Sequence, residues 1–102
     1  MTIKEIQDRI TTGEYRFSDH SVKRMFQRNI RRLEIERAIL TGEIIEEYHD
    51  DKYSPTCLIY GRSETGRDLH IHISFPPTVV IITVYDPDPK EWVDCRVRRL
   101  SQ

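Results

Sequence analysis

The amino-acid sequence predicts an α+β fold in which two or three N-terminal helices pack on an antiparallel sheet of about four strands. Apolar residues recur at helical spacing up to about Gly42, and beyond it they follow the alternating pattern of strands. The length of 102 residues fits one domain that can bury a core without disulfides or a metal ion. We therefore expect one domain over 1–102, with a core from about 2 to 95 and a basic, weakly ordered tail over 96–102.

The first helix is predicted from about 2 to 12. Thr2 and Glu5 form a capping-box pattern, and isoleucines follow at helical spacing. Gly13 is suited to the C-cap because glycine adopts the left-handed conformation without strain. A short extended segment over 15–17 separates this helix from the next one.

Two further helices complete the helical part of the chain. Ser18 is a suitable N-cap for the second helix, which is predicted to end near Asn29. The third helix is expected over about 33–40, where apolar residues dominate, and Thr41 and Gly42 end it. The side chains expected on the apolar, core-facing side of the second helix are Val22, Met25 and Phe26.

The strands are predicted from alternating or β-branched stretches that turn residues separate. They cover about 43–49, 56–62, 68–75 and 78–85, with a loop over 50–55 between the first two. The last stretch is continuous and β-branched, which favours a central position in the sheet. After the Asp-Pro repeats at 86–89, Trp92 and Val93 are expected to pack back onto the sheet.

The net charge of −1 conceals two segments of opposite charge. Residues 16–37 hold seven basic and three acidic residues, a balance of +4, whereas residues 42–53 hold five acids and one lysine, a balance of −4. The near-neutral total argues against a general nucleic-acid coat protein. The basic segment is compatible with a focused binding site for a polyanion.

The composition indicates no membrane segment, disulfide or zinc site. No apolar run approaches the roughly 20 residues that span a bilayer, and the N-terminus lacks a signal-peptide core, so we expect a cytoplasmic protein. Cys57 and Cys95 lie in or beside apolar stretches and belong to no C-x-x-C pair, which favours buried free thiols.

His20, Arg24 and Arg28 are the first candidate site residues. They recur at every fourth position of the second helix and form one stripe, in a different sector from its apolar residues. Guanidinium groups bind phosphate in bidentate fashion, and an imidazole transfers protons near neutral pH. These are the functions that cleavage of an RNA backbone needs. The alternative interpretation is a solvated basic face with a histidine in its first turn.

His70 and Tyr85 are the candidates from the sheet. His70, His72 and Ser74 share one strand face, but no third metal ligand is apparent, so we expect neither a metal nor another cofactor. A polar outer strand face is a second interpretation, and in a third, one histidine is the acid–base partner of the basic helix. Tyr85 ends the last strong strand, where its phenol is either exposed for function or packed at the edge of the core.

Several segments together resemble a known family. From Phe17 to Ile30 the chain reads F-S-x-H-x-x-x-R-M-x-x-R-x-I, and from Glu36 to Tyr48 it reads E-x-A-I-L-x-G-E-I-I-E-x-Y. The Leu69-His70 pair and the stretch from Ile82 to Tyr85 follow. This combined pattern, from about Tyr15 to Trp92, resembles the bacterial family called domain of unknown function 4258.

That family is similar to the RelE-like branch of the barnase–EndoU–colicin–RelE superfamily. The resemblance implies a RelE-like fold, RNA bound across the sheet and the adjoining helix, and a small zinc-finger antitoxin as a partner. The resemblance indicates that the site residues are His20, Arg24 and Arg28 of the helix and His70 and Tyr85 of the sheet. Toxins of this type are commonly strongly basic, whereas this chain is near neutral.

The resulting hypothesis is a toxin of a toxin–antitoxin system, a metal-independent endoribonuclease that acts on RNA, free or on the ribosome. In this hypothesis His20 or His70 accepts the proton of the attacking 2′-hydroxyl, and Arg24 and Arg28 stabilise the phosphorane. Tyr85 or the other histidine then protonates the leaving 5′-oxygen. Two alternatives are a non-catalytic protein-binding module of the same fold and a helix-turn-helix DNA-binding regulator.

Overall fold

The computed structural model describes residues 2–50 and 54–100. Its helices are α1 Ile3–Thr12, α2 Asp19–Arg28 and α3 Arg32–Thr41; its strands are β1 Arg16–Phe17, β2 Glu43–Tyr48, β3 Thr56–Arg62, β4 Asp68–Ser74, β5 Val80–Tyr85, β6 Trp92–Val93 and β7 Val97–Arg98. The predicted α+β class, with three helices before a mostly antiparallel sheet, is confirmed. Part of the predicted loop, 51–53, and the end of the predicted tail, 101–102, lie outside the described residues. Among the described residues, no helix has both the length and the apolar character that crossing a membrane requires.

The ends of the helices follow from their capping residues. Gly13 ends α1 in the left-handed conformation at φ 78°, and Asn29 ends α2 at φ 53°. The Ser18 hydroxyl accepts a hydrogen bond from the Ser21 amide and so caps the start of α2, as predicted. The predicted capping box at the start of α1 does not form. Thr2 has the extended backbone of an N-cap, but its side chain makes no capping hydrogen bond.

Five strands form the main sheet in the order β1-β5-β4-β3-β2, and β6 and β7 form a separate hairpin. Neighbours in the main sheet are antiparallel except β1 and β5, which run parallel. The prediction that 78–85 is the central strand is wrong, because β4 holds the middle position and only β1 separates β5 from the edge. β1 has two residues and lies within the short extended segment predicted over 15–17.

The hydrophobic core lies between the helices and one face of the sheet. Three residues of β4 and three of α3 at its centre are fully buried: Leu69, Ile71, Ile73, Ile35, Ala38 and Ile39. Gly61 of β3 allows α3 to approach closely, because a Cβ atom there would lie 1.9 Å from the carbonyl oxygen of Ala38. Helix α3 therefore packs directly on the backbone of β3.

The two cysteines are free thiols, as predicted. Cys57 is fully buried in β3, and burial raises the pKa of its thiol to about 12, so it stays protonated. Cys95 is only partly buried, because it lies in the turn of the C-terminal hairpin.

Helix α2 lies along the outer edge of β5. At its start, the Ser18 hydroxyl donates a hydrogen bond of 2.8 Å to the carbonyl oxygen of Ile82. At its end, Arg67 donates a hydrogen bond of 2.8 Å to the carbonyl oxygen of Arg28 and also pairs with Asp86. Because Ile82 lies within β5 and Asp86 directly follows it, the helix runs in the same direction as the strand.

The predicted apolar face of α2 is largely exposed. Phe26 is 85% exposed and Val22 40% exposed, whereas Met25 packs partly against the core and Ser21 is fully buried. The prediction that Val22 and Phe26 face the core is therefore wrong. The small side chain of Ser21 allows α2 to lie close to the sheet, which turns Val22 and Phe26 onto the flank of the helix.

The C-terminal hairpin of β6 and β7 covers part of the second sheet face. Trp92 is 2% exposed and packs back onto the sheet, as predicted, whereas the same prediction is wrong for Val93, which is 39% exposed. The sequence predicts a weakly ordered tail over 96–102, whereas β7 of this segment pairs with β6 in the structure. Ion pairs tie the hairpin to β2, with Arg96 2.6 Å from Glu43 and Arg98 3.0 Å from Glu46.

Candidate functional site

The sheet face opposite the helices, here the outer sheet face, carries the polar residues of the candidate site. Strand pairing places His70 of β4 beside Tyr60 of β3 and Tyr85 of β5. His72, two residues further along β4, lies beside Thr83. The outer sheet face therefore brings His70 and Tyr85, which are distant in sequence, into one row.

His70 is fully buried, and both of its ring nitrogens have partners. Its Nε2 lies 2.6 Å from the carbonyl oxygen of Cys95, and its Nδ1 lies 3.3 Å from the hydroxyl of Tyr85. Since a carbonyl oxygen only accepts, Nε2 donates, and in the neutral ring Nδ1 accepts from the Tyr85 hydroxyl. Burial lowers the pKa of His70 below its usual value and so favours this neutral form.

The C-terminal hairpin covers His70. The Trp92 ring meets the His70 ring edge-on with centroids 4.5 Å apart, and the Arg98 guanidinium lies 4.7 Å from the centre of the Trp92 ring. Tyr85 is half-buried, and burial raises the pKa of its phenol, which therefore stays neutral near pH 7. Of the two partners, Tyr85 is the one that a large ligand can reach.

His20, Arg24 and Arg28 lie on the flank of α2 opposite to that of Phe26. At 100° per residue, His20 and Arg24 lie on average about 160° around the helix axis from Val22 and Phe26. Val22 and Phe26 line a depression together with Phe17, whose strand neighbour in β5 faces the core. His20 and Arg24 therefore lie on the side of α2 that borders the outer sheet face.

The three helical candidates make no direct contact with the two from the sheet. His20 and Arg28 are exposed, and Arg24 is half-buried. Within residues 2–50 and 54–100, no hydrogen bond, ion pair or ring contact joins these side chains to His70 or Tyr85. The structure thus brings His70 and Tyr85 together and leaves the helical stripe on the neighbouring element.

A groove of about 650 Å³ lies on the uncovered part of the outer sheet face. His72 and Thr56 line it, with 2.8 Å between Nε2 and Oγ1, and so do Arg16 of β1 and Ser74 of β4. The Tyr48 ring meets the His72 ring edge-on at 5.4 Å. The alternation of β4 predicts His72 on this face. It does not identify Arg16 or Thr56, because their positions depend on pairing with other strands.

The two histidines of β4 have separate partners. His70 is bonded to Tyr85 and Cys95, whereas His72 is bonded to Thr56 on the next strand. Across the part of the chain that the structure describes, no three His, Cys, Asp or Glu side chains lie close enough together to hold a metal ion. No observation in the structure therefore favours the interpretation of His70 and His72 as metal ligands.

A known family model matches most of the chain. Residues 17–86 match the family model described as Domain of unknown function (DUF4258). The chain belongs to the DUF4258 family. No curated protein and no solved structure matches it. The DUF4258 match runs from the end of β1 to the residue after β5, so it includes all five candidate residues. Helix α1 and the C-terminal hairpin, which covers His70, lie outside the matched region.

Proposed function

We propose that the protein is an endoribonuclease toxin of the RelE-like type, which cleaves RNA by attack of a 2′-hydroxyl and without a metal ion. The main support is the contact between Tyr85 and a neutral, buried His70 on the outer sheet face. The flank of α2 that carries His20 and Arg24 borders the same face. An acid–base pair next to fixed positive charge is what transesterification of RNA requires.

In this proposal Tyr85 contacts the reacting 2′-hydroxyl. Its oxygen accepts the 2′-hydroxyl proton while its own proton passes to Nδ1 of His70, and the 2′-oxygen forms a bond to phosphorus. The resulting imidazolium donates one N–H to the Tyr85 oxygen and the other to the carbonyl oxygen of Cys95. The buried ring of His70 therefore acts through Tyr85 and needs no contact with RNA.

The second half of the reaction uses the residues of α2. The bond between phosphorus and the 5′-oxygen breaks as His20 donates a proton to that oxygen. The products are a 2′,3′-cyclic phosphate and a free 5′-hydroxyl. Arg24 and Arg28 neutralise the charge that develops on the phosphorane, as guanidinium groups do at phosphates. Arg16, which lines the groove beside β1, extends this positive surface along the RNA backbone.

The test is cleavage of a labelled RNA in EDTA. We expect Tyr85→Phe and Arg24→Gln each to lower the rate by about 100-fold. Tyr15→Phe, which removes a phenol bonded to Glu36 on the helical side of the sheet, should cleave like wild type. Mass spectrometry should find cyclic-phosphate ends, and an RNA with 2′-O-methyl groups should stay intact. Unchanged cleavage in both site variants, or cleavage of the methylated RNA, would reject this mechanism.

The toxin role and the partner are tested in cells. Induction of the chain alone should arrest growth, and coexpression of a small neighbouring gene with two C-x-x-C pairs should restore it. Such a product would be the zinc-finger antitoxin that the family resemblance implies. Cleavage assays with and without ribosomes distinguish free RNA from ribosome-bound RNA as the substrate.

A non-catalytic protein-binding module is the second candidate function. The observation that favours it is the complete burial of His70 beneath Trp92. It predicts a folded protein that forms a stable complex but neither cleaves RNA nor arrests growth. No observation favours a helix-turn-helix regulator, because the exposed side of α3 presents Leu33 and Leu40, whereas a recognition helix needs side chains that contact base edges.

A further inference from the structure

The outer surface of the helix layer exposes large apolar side chains. Phe26 of α2 is 85% exposed, and Leu33 of α3 is 70% exposed. Val22 and Leu40, on the same two helices, are 40% and 41% exposed. Single exposed apolar residues are common, but a contiguous group of them indicates an interaction surface.

These side chains form one continuous band. The first of three depressions, beside Phe26, shares the lining residues Phe17 and Arg32 with a second depression. The second shares Leu40 with a third depression, which also contains Leu33. The first and third have volumes of about 400 Å³ and about 440 Å³, enough for several side chains of a partner. This surface, the helix-layer band, consists of Phe17, Val22, Phe26, Arg32, Leu33 and Leu40.

Three arginines and three glutamates line the depressions of the helix-layer band: Arg31, Arg32, Arg37, Glu34, Glu36 and Glu64. Within the described ranges, no ion pair involves Arg31, Arg32 or Arg37, and all three side chains are exposed. The two acids of α3 are engaged inside the molecule instead. Glu34 accepts a hydrogen bond from the backbone amide of Arg31, and Glu36 accepts one from a tyrosine hydroxyl. Arg31, Arg32 and Arg37 are therefore exposed cations that lie beside the apolar side chains of the band.

We propose that the helix-layer band docks an acidic amphipathic segment of a second protein. Large apolar side chains of that segment would cover Phe26 and Leu33, and its carboxylates would pair with Arg32 and Arg37. The band lies on the helical side of the sheet, away from Tyr85, so the inference does not rest on the proposed nuclease activity.

Two other occupants fit the surface less well. RNA would satisfy the guanidinium groups, but its phosphate backbone offers little to the aliphatic side chains of Leu33 and Leu40. A second copy of this chain would have to supply acids, and two acids of its β2 strand, Glu43 and Glu46, are already paired with arginines of the hairpin.

The test uses defined probes and fluorescence anisotropy. The main probe is a labelled helical peptide of about 18 residues, with leucines on one face and glutamates on the other. A second peptide has lysines in place of the glutamates, and a third probe is a single-stranded RNA. The band variants are Phe26→Ser with Leu33→Ser, and Arg32→Glu with Arg37→Glu. Matched controls are Val97→Ser with Leu100→Ser, which removes exposed apolar side chains elsewhere, and Lys90→Glu.

We expect the wild type to bind the acidic peptide and not the lysine peptide. Each band variant should weaken this binding by about tenfold or more, while the controls bind like wild type. RNA cleavage should be unchanged in the band variants, so the outcome of this test is independent of the nuclease proposal.

Four results would overturn the assignment to an acidic protein segment. They are no binding of the acidic peptide, equal binding of both peptides, equal weakening in the control variants, and an effect of the band variants on RNA binding alone. Sedimentation equilibrium supplies one more: self-association that only the band variants abolish would assign the surface to a second copy of the chain.

Discussion

The imidazole of His70 is buried against Trp92 and directs its Nε2 proton to the carbonyl oxygen of Cys95. A second proton would have to enter at Nδ1, where the Tyr85 hydroxyl donates. Protonation would therefore make Nδ1 the donor in that hydrogen bond and would bury a positive charge. For this reason the folded protein holds a proton on His70 less readily than the unfolded chain does.

Folding stability should consequently decrease in mildly acidic solution. The folded-state pKa of His70 lies below the unfolded value of about 6.5, so the unfolded chain binds more protons below that pH. The contribution of neutral His70 to the free energy of unfolding is fully present above about pH 6.5. It is lost as the pH falls through the lower folded-state pKa of His70, and the free energy of unfolding then decreases with a limiting slope of about 1.4 kcal/mol per pH unit. Urea unfolding at a series of pH values measures this slope.

The variant His70→Gln should lack this part of the pH dependence, although it should be less stable at every pH. His20→Gln is the matched control, because it removes an exposed histidine and should keep the wild-type slope. If wild type and His70→Gln lost stability with the same slope, protonation of His70 would not be the cause.

The sequence predicts the neighbourhood of His70 only in part. The alternation of β4 correctly assigns His70 and His72 to one strand face. It carries no information on what covers that face, because the cover comes from Cys95, which lies 25 residues away along the chain. The pairing of His70 with Tyr85 likewise depends on the register between β4 and β5, which a bulge after His72 shifts.

At the scale of secondary-structure elements, α3 and β3 approach each other closely at Gly61. Gly61 permits this contact, because any β-carbon there would collide with the backbone of Ala38. Since both partners are backbone atoms, the collision could be relieved only by moving the helix off the sheet.

Gly61→Ala should therefore destabilise the fold by about 3 kcal/mol through overpacking. Gly66→Ala is the matched control, since Gly66 has a positive φ of 85° but no atom within 4 Å of an added Cβ. It should cost only about 1 kcal/mol from backbone strain. Urea unfolding compares the two, and an equal loss in both variants would show that the contact with α3 is not what requires glycine at position 61.

The helices could be predicted because their ends are determined locally. Ser18 caps α2, and Gly13 and Asn29 adopt left-handed conformations at the positions where the periodicity stops. The extended segment predicted over 15–17 contains β1, but its pairing with β5 could not be predicted because it covers only two residues. Strand β7 could not be predicted either, because it also has two residues and exists only through its pairing with β6. The sequence does not predict the exposure of Phe26 either, because helical periodicity identifies an apolar face but not the element that packs against it.

Over the whole molecule, opposite charges occupy different surfaces. The acidic strand β2 is partly neutralised by the end of the chain, since Glu43 and Glu46 pair with Arg96 and Arg98. The basic stripe of α2 keeps its charge, because no ion pair among the described residues involves Arg24. The net charge of −1 is therefore compatible with a strongly basic local surface.

The salt dependence of RNA binding distinguishes this local surface from the field of the whole molecule. Each phosphate contact with single-stranded RNA lowers log affinity by about 0.7 per unit of log salt concentration. Contacts from Arg16, Arg24 and Arg28 should together give a slope of about −2.

Arg24→Gln should make this slope shallower by about 0.7 and weaken binding to all RNA sequences alike. Lys90→Gln changes the net charge equally but lies outside the site, so it should leave the slope unchanged. Anisotropy of a labelled oligonucleotide over a range of salt concentrations measures both, and equal changes in the two variants would show that total charge governs binding.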